Sequence, residues 1–90
     1  MAETIVASTD VLSRELRGDT VLLNLKSEQY FGVSGVAARA WQLISSGKNL
    51  EEVQQVLLKE YQVSEGQLTE DLQRFVGDLA SAGLVTGKNG

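Results

Sequence analysis

The 90-residue chain contains no cysteine, no histidine and no proline. Without cysteine or histidine it has no thiol nucleophile, no imidazole base, no disulfide and none of the side chains that usually hold zinc or iron–sulfur centres. The nucleophiles that remain are serine, threonine, lysine and tyrosine, and none has an imidazole to activate it. Positive charge is also scarce, with 8 Lys+Arg against 12 Asp+Glu and a formal net charge of -4. A nucleic-acid binder takes most of its affinity from neutralising phosphates, so this balance argues against one. No apolar run approaches the roughly 20 residues that span a bilayer. The start, Met1-Ala2-Glu3-Thr4-Ile5-Val6-Ala7, lacks both the basic region and the long apolar stretch of a signal peptide. These absences predict a single cytoplasmic domain that is not an enzyme, takes no cofactor or metal, and contacts neither membrane nor nucleic acid.

What is present is enough to fold. The hydrophobic fraction is 42%, ordinary for a globular domain and too high for a disordered chain. Residues 11–17 alternate moderately and read as a first strand. Gly18-Asp19 suits a two-residue hairpin turn. In the second strand, residues 20–25, Val21, Leu23 and Leu25 share one face, with Asn24 on the other. Lys26-Ser27-Glu28 forms a polar turn, and residues 29–33 form a short third strand. Short turns between three strands predict an antiparallel meander.

The rest has helical spacing. Ser34 is placed to cap a helix ending near Ser46, with Val36, Ala37, Ala40, Trp41 and Ile44 on its apolar stripe and Gly47 as its stop. Asn49 and Glu52 have the spacing of a capping box before a second helix carrying Leu50, Val53, Val56, Leu57 and Tyr61. Ser64 and Gln67 repeat that spacing before a third helix with Leu68, Leu72, Phe75, Val76 and Leu79; Gly83 ends it, and Leu84-Val85 packs back. The order β-β-β-α-α-α makes the fold α+β, a three-stranded antiparallel sheet followed by a helix-turn-helix-like trihelical core, as in a winged helix with its sheet placed first. The domain spans residues 11–85, with residues 1–10 and 86–90 as flexible ends.

Most conspicuous residues are explained by the fold. Glu51, Glu52, Glu70 and Asp71 fall early in helices, where acids favour the helix dipole. The glycines fit no phosphate-binding loop. Trp41 and Phe75 belong to core stripes, and Tyr61 covers the core from the end of its helix. Asp71 and Arg74, three residues apart, can form an exposed helix pair of about 0.2–0.5 kcal/mol. Tyr30 and Phe31 are adjacent and so point to opposite faces of their strand; one must face away from the core, covered or lining a groove.

From Val21 onward the chain resembles the PqqD-like family, the peptide-binding domain known as the RiPP recognition element. The resemblance is carried by Val21-Leu22-Leu23-Asn24-Leu25, Tyr30-Phe31-Gly32-Val33, Ala38-Arg39-Ala40-Trp41-Gln42-Leu43-Ile44, Gly47-Lys48-Asn49-Leu50-Glu51-Glu52-Val53, Asp71-Leu72-Gln73-Arg74-Phe75-Val76 and Leu79-Ala80-Ser81-Ala82-Gly83-Leu84-Val85, in that order and spacing. Family members usually carry Asn with a later Gly where this chain has Ser34-Gly35-Val36-Ala37. The resemblance implies a peptide chaperone in natural-product biosynthesis. Such a domain binds the leader of a ribosomally made precursor and delivers it to a radical SAM modifying enzyme or a leader peptidase, in pyrroloquinoline quinone, lasso or other peptide pathways. It also implies the mode: the leader adds as a strand to the third strand, in the groove beside the third helix. Carried onto this sequence, the site is Gln29, Tyr30, Phe31, Gly32 and Val33 with Asp71, Leu72, Arg74, Phe75 and Asp78.

The physics allows this mode. Strand addition takes affinity from main-chain hydrogen bonds and specificity from side-chain pockets. The third strand has no proline, and in a meander it lies at an edge. An exposed edge also admits a second copy, so both a monomer and an edge-paired dimer are consistent with the sequence. The competing reading, a winged-helix DNA-binding regulator, needs several basic residues on the third helix, which has only Arg74 against Glu70, Asp71 and Asp78. A third reading, a subunit that docks an enzyme through its exposed sheet, differs from the first only in its ligand. Arg74→Glu is expected to weaken leader binding by loss of a rim cation; unchanged affinity in a calorimetric titration would remove Arg74 from the site.

Overall fold

In the computed structural model, residues 3–17 and 19–89 are described, and they form five strands and three helices. In chain order these are β1 (Glu3–Ala7), β2 (Val11–Leu16), β3 (Asp19–Asn24), β4 (Gln29–Ser34), α1 (Gly35–Ser45), α2 (Leu50–Glu60), α3 (Glu65–Ser81) and β5 (Val85–Asn89). The expected meander is present as β2-β3-β4, antiparallel throughout, with β2 and β4 at the edges. The three helices follow it, so the α+β order holds.

The helix ends follow from local chemistry. Asn49 and Glu52 form the reciprocal capping box, each side chain accepting from the other residue's backbone N–H at 2.9 and 3.0 Å. Ser64 accepts from the Gln67 N–H at 3.3 Å, while the Gln67 amide turns instead to Asp71. Gly47 and Gly83 take positive φ, and the N–H groups of Gly47, Lys48, Gly83 and Leu84 reach back to the last carbonyls of α1 and α3 in Schellman motifs. Ser34 occupies the cap position of α1 but makes no side-chain cap hydrogen bond; β4 enters the helix directly through Gly35 at φ 58°.

Three features depart from the sequence reading. The ends, expected to be flexible, carry β1 and β5, which pair antiparallel from Glu3 opposite Asn89 to Ala7 opposite Val85. Their partners lie some eighty residues apart, so no local pattern announces them. The first hairpin closes one residue earlier than expected: Leu16 pairs with Asp19, and Arg17, at φ 51°, occupies the connection. Gly18, the other half of the expected turn, lies outside the described residues. Finally, β3 buries Thr20, Leu22 and Asn24, while Val21 and Leu23 point away from the core.

Asn24 explains that inversion. It is 8% exposed, its amide donates to the Ala82 carbonyl at 2.8 Å, and its Oδ1 accepts from the Lys26 and Ser27 N–H groups. The β3–β4 turn is thereby tied to the end of α3. Around this point Leu22, Trp41, Ile44, Leu57, Leu79 and Leu84 form the centre of the core, between the inner sheet face and the helices. A second polar chain runs over the surface. Arg39 on α1 donates two hydrogen bonds to Glu60 on α2, both at 2.8 Å, and one to Gln42, whose amide reaches Glu15 on β2.

Asn24→Ala removes the side-chain partner of the Ala82 carbonyl and of the Lys26 and Ser27 N–H groups, and is expected to cost about 0.5–1.5 kcal/mol in urea unfolding. Gly83→Ala places a Cβ 2.8 Å from the Asn24 amide at φ 73°, so its cost should couple to that of Asn24→Ala rather than add. At the surface, the hydrogen bonds from Arg39, opposed by desolvation and aided by the guanidinium charge, hold the Glu60 carboxyl below the usual range. That contribution to stability is complete above the unfolded-state Glu value and is lost as pH falls through the lower folded-state value. Arg39→Gln should return the Glu60 midpoint to the ordinary range in a carboxyl-detected NMR titration.

Candidate functional site

Among the described residues, the strand β4 has a hydrogen-bonded neighbour on one side only, through its ladder with β3. Its outer edge therefore presents main-chain donors and acceptors to a further strand. Alternation divides its side chains. Phe31 and Val33 turn inward opposite Leu22 and Thr20; Val33 is buried and Phe31 packs half-buried on the core. Tyr30 and Gly32 turn outward opposite Leu23 and Val21, and Tyr30 is 74% exposed. Gln29, paired with Asn24, is exposed at the start of the strand.

Immediately after β4, the first turns of α1 face α3 across an apolar pocket of ≈ 130 Å³. Val36, Ala37 and Ala40 form one wall; Leu68, Leu72 and Phe75 form the other, with Val63, Gln67 and Asp71 at the boundary. The hollow exists because Ala37 and Ala40 stand on the helix stripe where larger residues would fill it. A space of about 150 Å³ in an apolar cavity accepts a benzene ring, so one branched or aromatic side chain is the natural guest. Asp71 accepts from the Gln67 amide at 3.0 Å, which leaves carboxylate lone pairs for a ligand donor.

Of the residues expected to form a site, Asp71, Leu72 and Phe75 line this pocket. Leu72 is also a buried core residue. Arg74 and Asp78 are exposed on α3 but do not line the pocket. The expected Asp71–Arg74 pair is not among the ion pairs of the described residues, and Asp71 engages Gln67 instead. Tyr30 stands apart on the outer sheet face beside Leu12, Arg14, Leu16, Val21 and Leu23. Sequence reasoning missed Val36, Ala37, Ala40, Val63, Gln67 and Leu68 as pocket residues. The available signal was the pair of alanines on a stripe otherwise built of large side chains.

Among the described residues no group of His, Cys, Asp and Glu is placed to hold a metal ion, and no helix is long and apolar enough to cross a membrane. The α3 helix carries one basic residue, Arg74, against Glu65, Glu70, Asp71 and Asp78, which is the wrong charge for a helix laid against phosphates.

Comparison with known proteins adds three findings. The family model for coenzyme PQQ synthesis protein D (PqqD) matches residues 19–85. A solved structure of TbiB1 in complex with the TbiA(β) leader peptide is 33% identical, with a TM-score of 0.87 over 94% of this chain and 99% of that one. A lasso peptide synthetase B1 complexed with its leader peptide has the same fold at 23% identity, with a TM-score of 0.82 over 92% of this chain and 98% of that one. Among curated proteins, none matches the chain.

Proposed function

The chain belongs to the PqqD family, and we propose that it is a non-catalytic carrier that binds the leader segment of a ribosomally made precursor peptide. The observation that carries this reading is the likeness to TbiB1, a protein of almost the same length solved with a leader peptide bound. In this reading the leader adds as a strand to the free edge of β4 and takes its affinity from main-chain hydrogen bonds. Inward-pointing leader residues meet the helices, and one apolar side chain fills the pocket between Ala37, Ala40, Leu72 and Phe75. Leader residues beyond the pocket meet Asp71, Arg74 and Asp78 along α3. The bound precursor is then delivered to a second protein, a modifying enzyme such as a radical SAM enzyme or a leader peptidase. Nothing in the charge of α3 favours the DNA-binding alternative.

The test is a titration of ¹⁵N-labelled protein with the leader segment of the precursor encoded beside its gene. Saturable shifts are expected at residues 29–33 and 71–78 and at Val36, Ala37 and Ala40. Ala37→Trp fills the pocket from the half-buried end of its wall and should weaken the leader at least tenfold, about 1.4 kcal/mol, with the fold retained. A leader that leaves all of these amides unmoved would overturn the reading.

A further inference from the structure

The sheet has a second exposed side. Its outer face consists of three cross-strand rows: Leu12–Leu23–Tyr30, Arg14–Val21–Gly32 and Leu16–Asp19–Ser34. Leu12 is 57%, Leu16 54% and Tyr30 74% exposed, so this face presents large apolar side chains to solvent rather than to the core. The period of two on each strand places polar residues outward in an ordinary half-buried sheet, and contiguous outward leucines with an aromatic mark an interaction surface. Gly32 adds no side chain, and the space above it is open. The middle row is thus open only at its β4 end, beside Tyr30, and is filled by Val21 and Arg14 toward β2.

We propose that this outer face docks the enzyme that acts on the leader-bound precursor, through an apolar patch of that enzyme carrying a carboxylate. The proposal rests on the leader-binding reading given above. Charge supports this occupant. Arg14 stands at the β2 end of the middle row, beside Leu12, Leu16, Val21 and Leu23, and makes no ion pair among the described residues. A guanidinium in such an apolar setting takes a carboxylate in a two-pronged pair that is stronger for being partly desolvated. Continuity supports it as well. Tyr30 and Gly32 belong to β4, the strand whose free edge the leader extends, so the outward residues of the added leader continue this same face. A protein seated here touches the carrier and the leader together. Occupancy of the leader site must then raise the affinity for that protein, and the reverse, by linkage. The chain's lack of His and Cys means that any thiol or imidazole chemistry on the precursor comes from such a second protein.

The probe is the purified modifying enzyme or peptidase encoded beside the precursor. Its affinity for the wild-type chain, for Leu12→Gln/Leu16→Gln and for Arg14→Glu is measured by biolayer interferometry, with and without the leader, and leader affinity alone by calorimetry. Both variants change exposed side chains away from the α1–α3 pocket, so their circular dichroism and leader affinity should match the wild type. Enzyme affinity should fall at least tenfold in each, and leader should tighten the wild-type complex. Enzyme affinity unchanged in both variants overturns the proposal. So does a wild-type dimer in sedimentation that the variants dissolve, since a second copy would then occupy the face. If the wild type binds no leader yet holds the enzyme through Leu12, Leu16 and Arg14, the docking face stands and the leader-binding reading falls.

Discussion

A single buried amide decides which way the sheet faces. Asn24 must sit inside to reach the Ala82 carbonyl, and in doing so it fixes the side of every residue on β3. With a side-chain period of two, Leu22 and Thr20 go inward with it, and Val21 and Leu23 go outward. The ladders carry this choice to the neighbouring strands, so Phe31 and Val33 are inside and Tyr30 is outside. Had hydrophobicity alone set the register, the more apolar set would have been buried. The inward placement keeps the Asn24 amide paired with the Ala82 carbonyl and with the turn, while Val21 and Leu23 stay half-buried on the outer face, so little apolar burial is given up. The same amide ties the end of α3 to the β3–β4 turn, and Gly83 leaves room for it where a Cβ would meet it at 2.8 Å.

This hierarchy also explains what could be read from the sequence. Caps and stops are local, so Asn49, Ser64, Gly47 and Gly83 marked the helices to within a residue or so of their observed ends. The meander was legible because its turns are short. The β1–β5 ladder was not, since Val6 finds Thr86 only after the whole domain has closed the distance between them. The direction in which Val21 and Leu23 point was equally hidden: it depends on Asn24 meeting Ala82, 58 residues away. Half of the site had the same character. Asp71, Leu72 and Phe75 fell on a recognisable stripe, but the hollow opposite them depends on where Ala37 and Ala40 lie once α1 and α3 have packed.

The consequence is that β4 presents three distinct surfaces within six residues. Its backbone offers an unpaired edge, its inner side chains anchor it to the core, and its outer side chains join an exposed apolar face. Anchoring matters to the other two. Val33 and Phe31 hold the strand in register against β3, so its free edge is presented without an ordering cost at the moment of binding. The direct passage from β4 into α1 through Gly35 fixes the pocket relative to that edge. An extended peptide pairing with β4 therefore meets a pocket at a set distance along its own length.

Main-chain pairing cannot distinguish one extended peptide from another, because every residue supplies the same donor and acceptor. In the proposed leader-binding mode, discrimination falls to the pocket and to the charges on α3. The pocket selects on size: a side chain too small leaves it partly empty, and one too large collides with Leu68 or Leu72, both buried in the core and unable to yield cheaply. The charges select differently. Asp71, Arg74 and Asp78 are exposed, so each adds only a small attraction for an opposite charge and a comparably small repulsion for a like one. On a chain of net charge -4, two acids flanking one base would, in that mode, weakly bias the groove against acidic peptides except where a carboxylate meets Arg74. In the proposed mode, affinity comes from the edge, which is generic, and specificity from a small apolar hollow and three rim charges that contribute little to binding on their own.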